Sequence, residues 1–362
     1  MSDDRARRPA ADDPAEVIAA WPGEATILSR HRPSGSWIAI AIHSTVLGPA
    51  AGGTRLTTYP SLAAAIADAH RLAEGMTLKH AFAGVATGGG KAVLAVPRGL
   101  DADARGDLLD AYARLLAGLR GAFATGCDVG TAVEDMRRIA RIAPDAAFAE
   151  DTGEAAAIGV HAALRAAATA RFGPAGVRDR RVVIQGAGGA GARLAALLAR
   201  DGARVAVAEL DPSAAARAAA ESGAEVVDPG AVLEEPCDVL SPCAVGGVLD
   251  RDTIPKLRCA AIVGGANNQL ADPDGAAVLH RRGILYVPDF VANAGGTLSA
   301  EARLDGGPPE AARAAAAGIG PRVAELLAHA EAAARPPLEL ALEIARARIA
   351  AARPTVNPED NP

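Results

Sequence analysis

The amino-acid sequence predicts an α/β protein of two domains. Short apolar runs alternate with helical patterns along most of the chain, which is typical of α/β folds. A glycine-rich stretch, GAGGAG, directly follows one of these apolar runs near the middle of the chain. The length of 362 residues exceeds one ordinary domain of about 100–200 residues. We place the domains at residues 1–150 and 151–319, and we expect helices within 320–355 to return to the first domain.

The composition excludes several classes of protein. Half of the residues are apolar and 22% are charged, which is enough apolar surface for packed cores and excludes a disordered chain. A net charge of −6 and 3% aromatic residues give neither the basic surface nor the stacking platforms of a nucleic-acid-binding protein. No apolar run reaches the ~18 residues of a membrane span, and the N-terminal sequence lacks the apolar centre of a secretory signal. We therefore expect a cytoplasmic protein.

Cysteine and histidine spacing gives no sign of a metal centre. The four cysteines show no CxxC pair, and the seven histidines show no spacing typical of metal ligands. We expect reduced thiols and no bound metal.

The first domain is predicted element by element. We expect residues 1–16 and 354–362 to be loose segments. Trp37–Ile42 is almost wholly apolar and predicts a buried strand, and the glycines of Gly48–Arg55 predict a turn. Ser61 is suited to cap a helix that runs to Leu72. The further predicted elements are a strand entered from Gly88–Gly90, a helix at 106–120, a strand and polar turn at 121–131, and a helix at 134–142.

The second domain is predicted as a doubly wound parallel sheet. The alanine-rich residues 155–172 predict a long helix that leads into it. Residues 310–353 predict further helices, with breaks near Gly320–Pro321 and Pro336–Pro337. The predicted strands are 181–185, 204–209, 226–227, 239–240, 260–263 and 285–287, and a helix at 192–200 follows the first of them.

The GAGGAG stretch predicts a dinucleotide site of the Rossmann type. It fits the GxGxxG pattern between a predicted strand and a predicted helix, and Glu209 ends the next strand. Gly186 permits the tight turn, Gly188 lets the backbone approach a pyrophosphate, and Gly191 lets helix and strand pack closely, while Gly189 and Ala190 complete the loop. Glu209 would accept hydrogen bonds from the ribose hydroxyls and repel a 2′-phosphate, which favours NAD over NADP. The alternative is a glycine turn that binds no nucleotide.

Lysine is rare in this chain. Of 37 basic residues only Lys79, Lys91 and Lys256 are lysines, and the first two lie in one glycine-rich segment. Arginine does not lose its proton in practice whereas lysine can, so a retained lysine indicates chemistry that arginine cannot perform. The alternative for Lys79 and Lys91 is two surface charges beside a flexible loop.

Seven segments resemble the family of glutamate, leucine, phenylalanine and valine dehydrogenases. In chain order they are GPAAGGTR, GMTLKHAFAGVATGGGKAVL, CDVGT, GAGGAG, PCAVGG, GGANNQL and PDFVANAGGTL. The chain is similar above all to the phenylalanine and leucine branches. The resemblance implies NAD-dependent, reversible oxidative deamination of an L-amino acid to a 2-oxo acid and ammonia. It also implies an active site in the cleft between the domains and a homo-oligomer.

The resemblance assigns roles to individual residues. Lys79 matches the lysine that binds the substrate α-carboxylate, with Gly52 and Gly53 beside it. Lys91 matches the catalytic lysine, and Asp128 matches the aspartate that exchanges protons with the amino group. The remaining matches are Asn267 and Ala244 at the cofactor and Asn268 at the substrate.

These roles agree with the chemistry of deamination. Hydride leaves the α-carbon only when the amine is neutral, so a proton acceptor is required, and Asp128 can serve. The iminium ion must then be attacked by water, which requires a base such as Lys91.

Small residues predict a substrate with a bulky side chain. Glutamate dehydrogenases carry a lysine where this chain has Ala51, which disfavours an acidic substrate, and the leucine branch carries a leucine there. Ala51 and Gly126 leave room for a larger, aromatic side chain, with Val291 and Ala292 on the far wall of the pocket. A branched-chain substrate is the alternative, and the small residues could also reflect composition alone.

One position departs from the family pattern. Ala156 stands where the family has a threonine near the nicotinamide carboxamide, which implies weaker cofactor orientation or slower turnover. A catalytically weakened NAD-binding protein is therefore an alternative, against which the retained lysines and Asp128 argue.

Overall fold

The structure is a computed structural model that describes residues 13–151, 153–304 and 306–352. Its contacts form two compact units. Among the described residues, unit 1 holds 13–81, 86–151 and 349–352, and unit 2 holds 82–85, 153–304 and 306–348. The predicted loose ends lie largely outside the described residues, but Pro14–Ala19 in the predicted leader forms a helix, α1, capped by Asp13.

Unit 1 is built on a five-stranded mixed sheet of order β1-β2-β4-β3-β5. β2 is antiparallel to both β1 and β4, whereas β3 is parallel to β4 and β5. One face of the sheet packs on α3 and α4 and the other on α2. The strands are β1 (Ala25–His31), β2 (Ser36–Ser44), β3 (Ala50–Thr57), β4 (Gly88–Ala95) and β5 (Phe123–Cys127), and the helices are α2 (Leu62–Ala83), α3 (Ala102–Gly118) and α4 (Val133–Ala140).

The predicted turn at Gly48–Arg55 is wrong, because most of it is the strand β3. Glycine is unfavourable inside a strand unless another backbone approaches closely. Here it does: a Cβ added to Gly52 would collide with the carbonyl oxygen of Gly90 on β4. The glycines therefore allow close strand contact, and β3 lies inside the sheet rather than in a loop.

The helix predicted to end at Leu72 continues to Ala83. An interior glycine such as Gly75 costs a helix only about 1 kcal/mol, and apolar packing of α2 on the sheet outweighs that cost. The extension has a functional consequence, because it places Thr77, Lys79 and His80 on a helix rather than in a loop.

Unit 2 contains the predicted parallel sheet. Six strands lie in the order β11-β10-β9-β6-β7-β8, and every pair is parallel. The two-domain α/β prediction is confirmed. The strands are β6 (Arg181–Gln185), β7 (Arg204–Ala208), β8 (Glu225–Val226), β9 (Val239–Pro242), β10 (Ala261–Ile262) and β11 (Leu285–Tyr286). The helices from the start of this unit's main segment to residue 304 are α5 (Gly153–Phe172), α6 (Gly189–Arg200), α7 (Pro212–Ser222), α8 (Gly275–Arg281), α9 (Asp289–Ala292) and α10 (Gly295–Leu304).

The C-terminal helices group mainly with unit 2. They are α11 (Pro309–Ala317), α12 (Ile319–Ala333) and α13 (Pro337–Ala352). The helix break falls at Gly318 and not at Gly320–Pro321. Residues 320–348, which the sequence predicted to return to the first domain, belong to unit 2, and only 349–352 group with unit 1. The physical reason is packing: Gly320 of α12 lies against Ala162 of α5, and Leu338 of α13 packs on the core of the parallel sheet.

In the part of the chain that the structure describes, no helix is both long and apolar enough to cross a membrane.

Candidate active site

Small residues lie side by side on β3, β4 and β5 of unit 1. We call this surface the floor, and it consists of Ala51, Gly53, Gly89, Ala124 and Gly126. The register pairs Ala51 with Gly89 on one side and with Ala124 on the other, and Gly53 with Gly126. Because side chains alternate along a strand, Ala51, Gly53 and Arg55 share one face, and the contact of Arg55 with Asp68 identifies this face as the one that α2 covers. The structure thus brings together the small residues that the sequence assigned to the substrate.

An ion pair lies directly over this floor. The Nζ atom of Lys91 is 2.7 Å from Oδ2 of Asp128. A Cβ added to Gly53 would lie 2.9 Å from Cβ of Asp128 and 3.0 Å from Nζ of Lys91. The side chain of Lys91 is 4% exposed and that of Asp128 11%. A lysine and a carboxylate are therefore held in contact, shielded from water, at the surface of the floor.

The surroundings keep the carboxylate charged. Burial alone would raise the pKa of Asp128, but the positive charges of Lys91 and Arg55 outweigh it and hold that pKa well below its usual range. Arg55 places its Nε 3.3 Å from Oδ2, the same oxygen that Lys91 contacts. Asp128 is thus an anion that two cations share.

The backbone around Asp128 is fixed as well. The Asp128 amide donates to the Thr131 hydroxyl at 2.9 Å, and that hydroxyl lies 2.8 Å from the carbonyl oxygen of Thr54 on β3. The loop after β5 is therefore tied to the neighbouring strand.

Lys79 lies on α2, the helix that covers the floor. It is 8% exposed and follows Met76 by one helical turn, so the two residues share a face. Met76 faces β3, because its Cγ is 3.4 Å from the position that a Cβ would take on Gly52. The next residue, His80, fixes the helix to β4 through Nδ1 at 2.7 Å from the Gly88 carbonyl oxygen, and burial lowers its pKa to about 4.

The three lysines differ in their surroundings. Lys256 is 58% exposed and pairs with Glu234 at 3.2 Å, as a surface charge does. Lys79 and Lys91 are both buried. The alternative interpretation of these two as surface charges is therefore wrong.

In unit 2, the glycine loop that the sequence assigned to a pyrophosphate is crowded at two of its glycines and open at a third. Gly186 has φ of +94°, and a Cβ there would lie 2.8 Å from Cβ of Ala244. A Cβ on Gly191 would collide with the carbonyl oxygen of Gly186. At Gly188, by contrast, an added Cβ would meet nothing within 4 Å. The loop is tight on its inner side and open above Gly188, where α6 begins with no side-chain cap, so its free N–H groups can bind an anion.

Glu209 is turned toward this loop. Its carboxylate accepts hydrogen bonds from the amides of Ala187 at 2.8 Å and Leu210 at 2.7 Å. Each carboxylate oxygen has more than one acceptor site, so these bonds are compatible with an additional hydroxyl partner. The residue predicted to bind ribose also fixes the loop predicted to bind pyrophosphate.

The two asparagines expected near the nicotinamide are held by side chains that the sequence analysis did not single out. Asn268 has φ of +53°, and its backbone amide donates to the Asp289 carboxylate at 2.6 Å. Asn293 donates to the side-chain oxygen of Asn267 at 2.8 Å. Asp289 and Asn293 both belong to the PDFVANAGGTL segment, and that resemblance was the sequence signal by which they could have been found.

The predicted far wall remains a prediction. The side chains of Val291 and Ala292 are fully buried within unit 2, so neither presents an exposed surface to a ligand there. Ala156 lies in the first turn of α5. Arg55 and Thr131 were missed, although both stand inside segments that carried the resemblance.

The described residues contain no group of three or more His, Cys, Asp or Glu side chains that could hold a metal ion, and all four cysteines are free thiols.

The fold and the two sites define a class of protein. A parallel sheet with a glycine-rich loop of the dinucleotide-binding type in one unit, and a buried lysine–aspartate pair in the other, agree with the class that the sequence predicted, a nicotinamide-dependent dehydrogenase. Known proteins agree. The family model for the dimerisation domain of Glu/Leu/Phe/Val dehydrogenases matches residues 36–143, and that for glutamate/leucine/phenylalanine/valine dehydrogenases matches residues 212–303.

Individual relatives cover most of the chain. A valine dehydrogenase from Streptomyces coelicolor is 40% identical over 91% of this chain and 93% of its own length. A leucine dehydrogenase from Geobacillus stearothermophilus is 39% identical over 78% of each chain. The crystal structure of an L-tryptophan dehydrogenase from Nostoc punctiforme has a TM-score of 0.73 and 32% identity, covering 93% of this chain and 99% of its own. The chain belongs to the Glu/Leu/Phe/Val dehydrogenase family and is an NAD-dependent amino acid dehydrogenase.

Proposed function

We propose that this enzyme reversibly deaminates an apolar L-amino acid, with a bulky or aromatic side chain, to the 2-oxo acid and ammonia. One observation carries the proposal: the buried ion pair of Lys91 and Asp128 lies at 2.7 Å over the small-residue floor of unit 1. The pair supplies a proton acceptor and a second titratable group at one place.

Lys79 binds the substrate α-carboxylate. Its buried position on α2, one turn from Met76, supports this role. A carboxylate gains most from a cation that is shielded from water. Gly52 and Gly53 carry no side chains of their own, which supports a contact of their backbone with the same end of the substrate.

Asp128 takes the proton of the substrate ammonium group. It is already ionised, because two cations hold its pKa low, and a charged substrate amine would be attracted to it. Bound NAD supplies the hydride acceptor, and the open space above Gly188 with the free start of α6 fits its pyrophosphate. Lys91, once neutral, removes a proton from the water that attacks the imine carbon.

On the nicotinamide side we propose that Asn267 and Ala244 contact the cofactor and that Asn268 contacts the substrate. We propose Val291 and Ala292 as the far wall of the substrate pocket. Glu209 binds the adenosine ribose while it holds the amide of Ala187. Ala156 provides no hydroxyl for the carboxamide, so we expect slower turnover than an enzyme with threonine at this position.

The space around the floor supports the proposal that the substrate has a bulky side chain. Ala51 is half-buried, and a Cβ added to Gly126 would come no closer than 3.8 Å to another atom. The similarity to an L-tryptophan dehydrogenase supports an aromatic substrate. A branched-chain substrate is the second candidate, because the chain is 40% identical to a valine dehydrogenase.

We further propose a homo-oligomer. The family model that matches residues 36–143 describes a dimerisation domain. Light scattering on the purified protein should give a mass that is a multiple of 36.3 kDa, and a mass equal to one chain contradicts the proposal.

The test is formation of reduced nicotinamide by the purified protein with NAD or NADP and L-phenylalanine, tryptophan, leucine, valine or glutamate. Lys91→Ala should lower turnover by about 10²–10⁴-fold, the usual worth of a general base, while NAD still binds. Lys256→Ala, which removes the exposed lysine, is the matched control and should be fully active. Equal loss in both variants contradicts the role of Lys91.

The same panel separates the two substrate candidates. Ala51→Leu should shift selectivity from phenylalanine toward valine, since each methylene in an apolar pocket is worth about 1–3 kcal/mol. An enzyme that already prefers valine before substitution supports the branched-chain candidate. NAD binding without turnover of any amino acid supports a catalytically weakened protein.

A further inference from the structure

Arg55 contacts two carboxylates, and one of them, Asp128, belongs to the candidate active site. Its Nε lies 3.3 Å from Oδ2 of Asp128, and its Nη1 lies 2.9 Å from Oδ2 of Asp68. Arg55 stands on β3, Asp68 on α2, and Asp128 just after β5. One guanidinium therefore joins three elements around the floor, and its side chain is only 17% exposed.

Asp68 is itself fixed, so it can hold the far end of Arg55. It accepts a hydrogen bond from the Tyr59 hydroxyl at 2.6 Å and another from Arg71 at 2.5 Å. Burial would raise the pKa of Asp68, but these donors and Arg55 lower it overall. Asp68 is therefore an anion at neutral pH.

The proposed reaction places a specific demand on Asp128. Lys91 must become neutral when it acts as a base, and Asp128 then loses the cation 2.7 Å away. A buried carboxylate without a cation tends to take up a proton. Arginine keeps its charge at any pH of interest, so Arg55 can remain the partner of Asp128 throughout.

We propose that Arg55 is a positioning residue: when Lys91 is neutral, it keeps Asp128 ionised and correctly oriented until Asp128 accepts the proton of the substrate ammonium group, and Asp68 holds Arg55 in place. The inference rests on the proposed function. The described groups that act on the Asp128 carboxylate include Lys91 from β4, Arg55 from β3 and the Val129 amide of its own loop. The Thr131 hydroxyl contacts the Asp128 backbone amide, and the Cys127 thiol is adjacent in sequence.

The experiment compares pH profiles of kcat and KM for the full-length enzyme and Arg55→Gln. Without Arg55, Asp128 takes up a proton more readily when Lys91 is neutral. The acidic limb of the kcat profile should therefore move up by about one pH unit, the usual effect of one neighbouring charge. Maximal kcat should fall about tenfold, with KM for the amino acid within about twofold, because Lys79 binds the carboxylate.

Two further variants separate charge from position. Arg55→Lys restores a cation but not the fork that spans two carboxylates, so the acidic limb should return while kcat recovers only in part. Asp68→Asn leaves the Arg55 charge in place and releases its far end, so kcat should fall without a shift of the limb. These variants also keep the test decisive if Arg55→Gln does not fold.

Arg138→Gln is the matched control. It removes an arginine of unit 1 that makes two bonds to Asp110, at 2.6 and 2.8 Å, away from the floor, and it should leave the profile unchanged. Turnover by the unsubstituted enzyme together with an unchanged profile in folded Arg55→Gln overturns this inference alone. No turnover of any amino acid by the unsubstituted enzyme overturns the proposed function and this inference with it.

Discussion

At the scale of single residues, two neighbouring glycines of the floor have different surroundings. Gly53 and Gly126 are partners across β3 and β5. A Cβ on Gly53 would meet Asp128 and Lys91 at 2.9 and 3.0 Å. The atom nearest to a Cβ on Gly126 would be 3.8 Å away, which is an ordinary van der Waals contact. The same methyl group should therefore disturb the ion pair at one position and only narrow the floor at the other.

Gly53→Ala should lower kcat/KM for every substrate by at least about tenfold, because displaced catalytic groups lose much of their effect. Gly126→Ala should lower it for tryptophan more than for valine and leave kcat for valine near that of the unsubstituted enzyme. Steady-state kinetics with both amino acids measures this. Equal effects of the two substitutions would show that the ion pair does not lie where the substrate reacts.

The catalytic candidates were the most predictable residues. Scarcity of lysine singled out Lys79 and Lys91, and the resemblance supplied Asp128. Arg55 could not be found in this way, because arginine is the common basic residue in this chain and nothing distinguishes one copy from the others by type. Its position became evident only when the fold brought Asp68 and Asp128 to its two ends.

At the scale of elements, apolar runs predicted most strands, whereas β1 and β3 were missed. Arg181–Gln185 was predicted to the residue, because an apolar run followed by glycines is the usual start of a dinucleotide site. β3 was missed because its glycines are explained by a neighbouring strand distant in sequence. α2 was predicted too short because Gly75 resembles a helix end until tertiary packing is known.

The loop between β6 and α6 allows a prediction about cofactor binding. Gly188→Ala adds a methyl group to open space, so the fold should be unaffected, while the backbone can no longer approach a pyrophosphate. Gly186→Ala forces an L-residue into φ of +94° against Ala244, which should cost at least about 1 kcal/mol of stability.

Thermal melts with and without NAD measure both effects. Gly188→Ala should melt like the unsubstituted protein without NAD and lose the stabilisation that bound NAD provides. Gly186→Ala should melt lower in both conditions. Normal stabilisation of Gly188→Ala by NAD would contradict the placement of the pyrophosphate.

At the scale of the whole molecule, two domains and their fold class followed from the sequence, but the grouping of the C-terminal helices did not. Alanine-rich helices carry little information about which surface they cover, because small apolar faces fit many partners. Their contacts with α5 and with the core of unit 2 are properties of the assembled chain.

The stability of the whole chain should depend on pH through the buried ion pair. The pKa of Asp128 is lowered in the folded protein, so the pair contributes fully above the pKa of an unfolded aspartate, about 3.9, and its contribution is lost as the pH falls through the folded value. Asp128→Asn leaves Lys91 and Arg55 without their shared anion and should cost about 3–5 kcal/mol at pH 7.

Urea unfolding at pH 7 and at pH 3 to 2 tests this prediction. The difference in unfolding free energy between the unsubstituted protein and Asp128→Asn should be largest at pH 7 and shrink below about pH 4. Asp110→Asn, which breaks a more exposed pair with Arg138, is the control and should cost less at pH 7, because solvent screens that pair. A difference for Asp128→Asn that stays constant with pH would mean that the substitution acts through packing and not through the charge of Asp128.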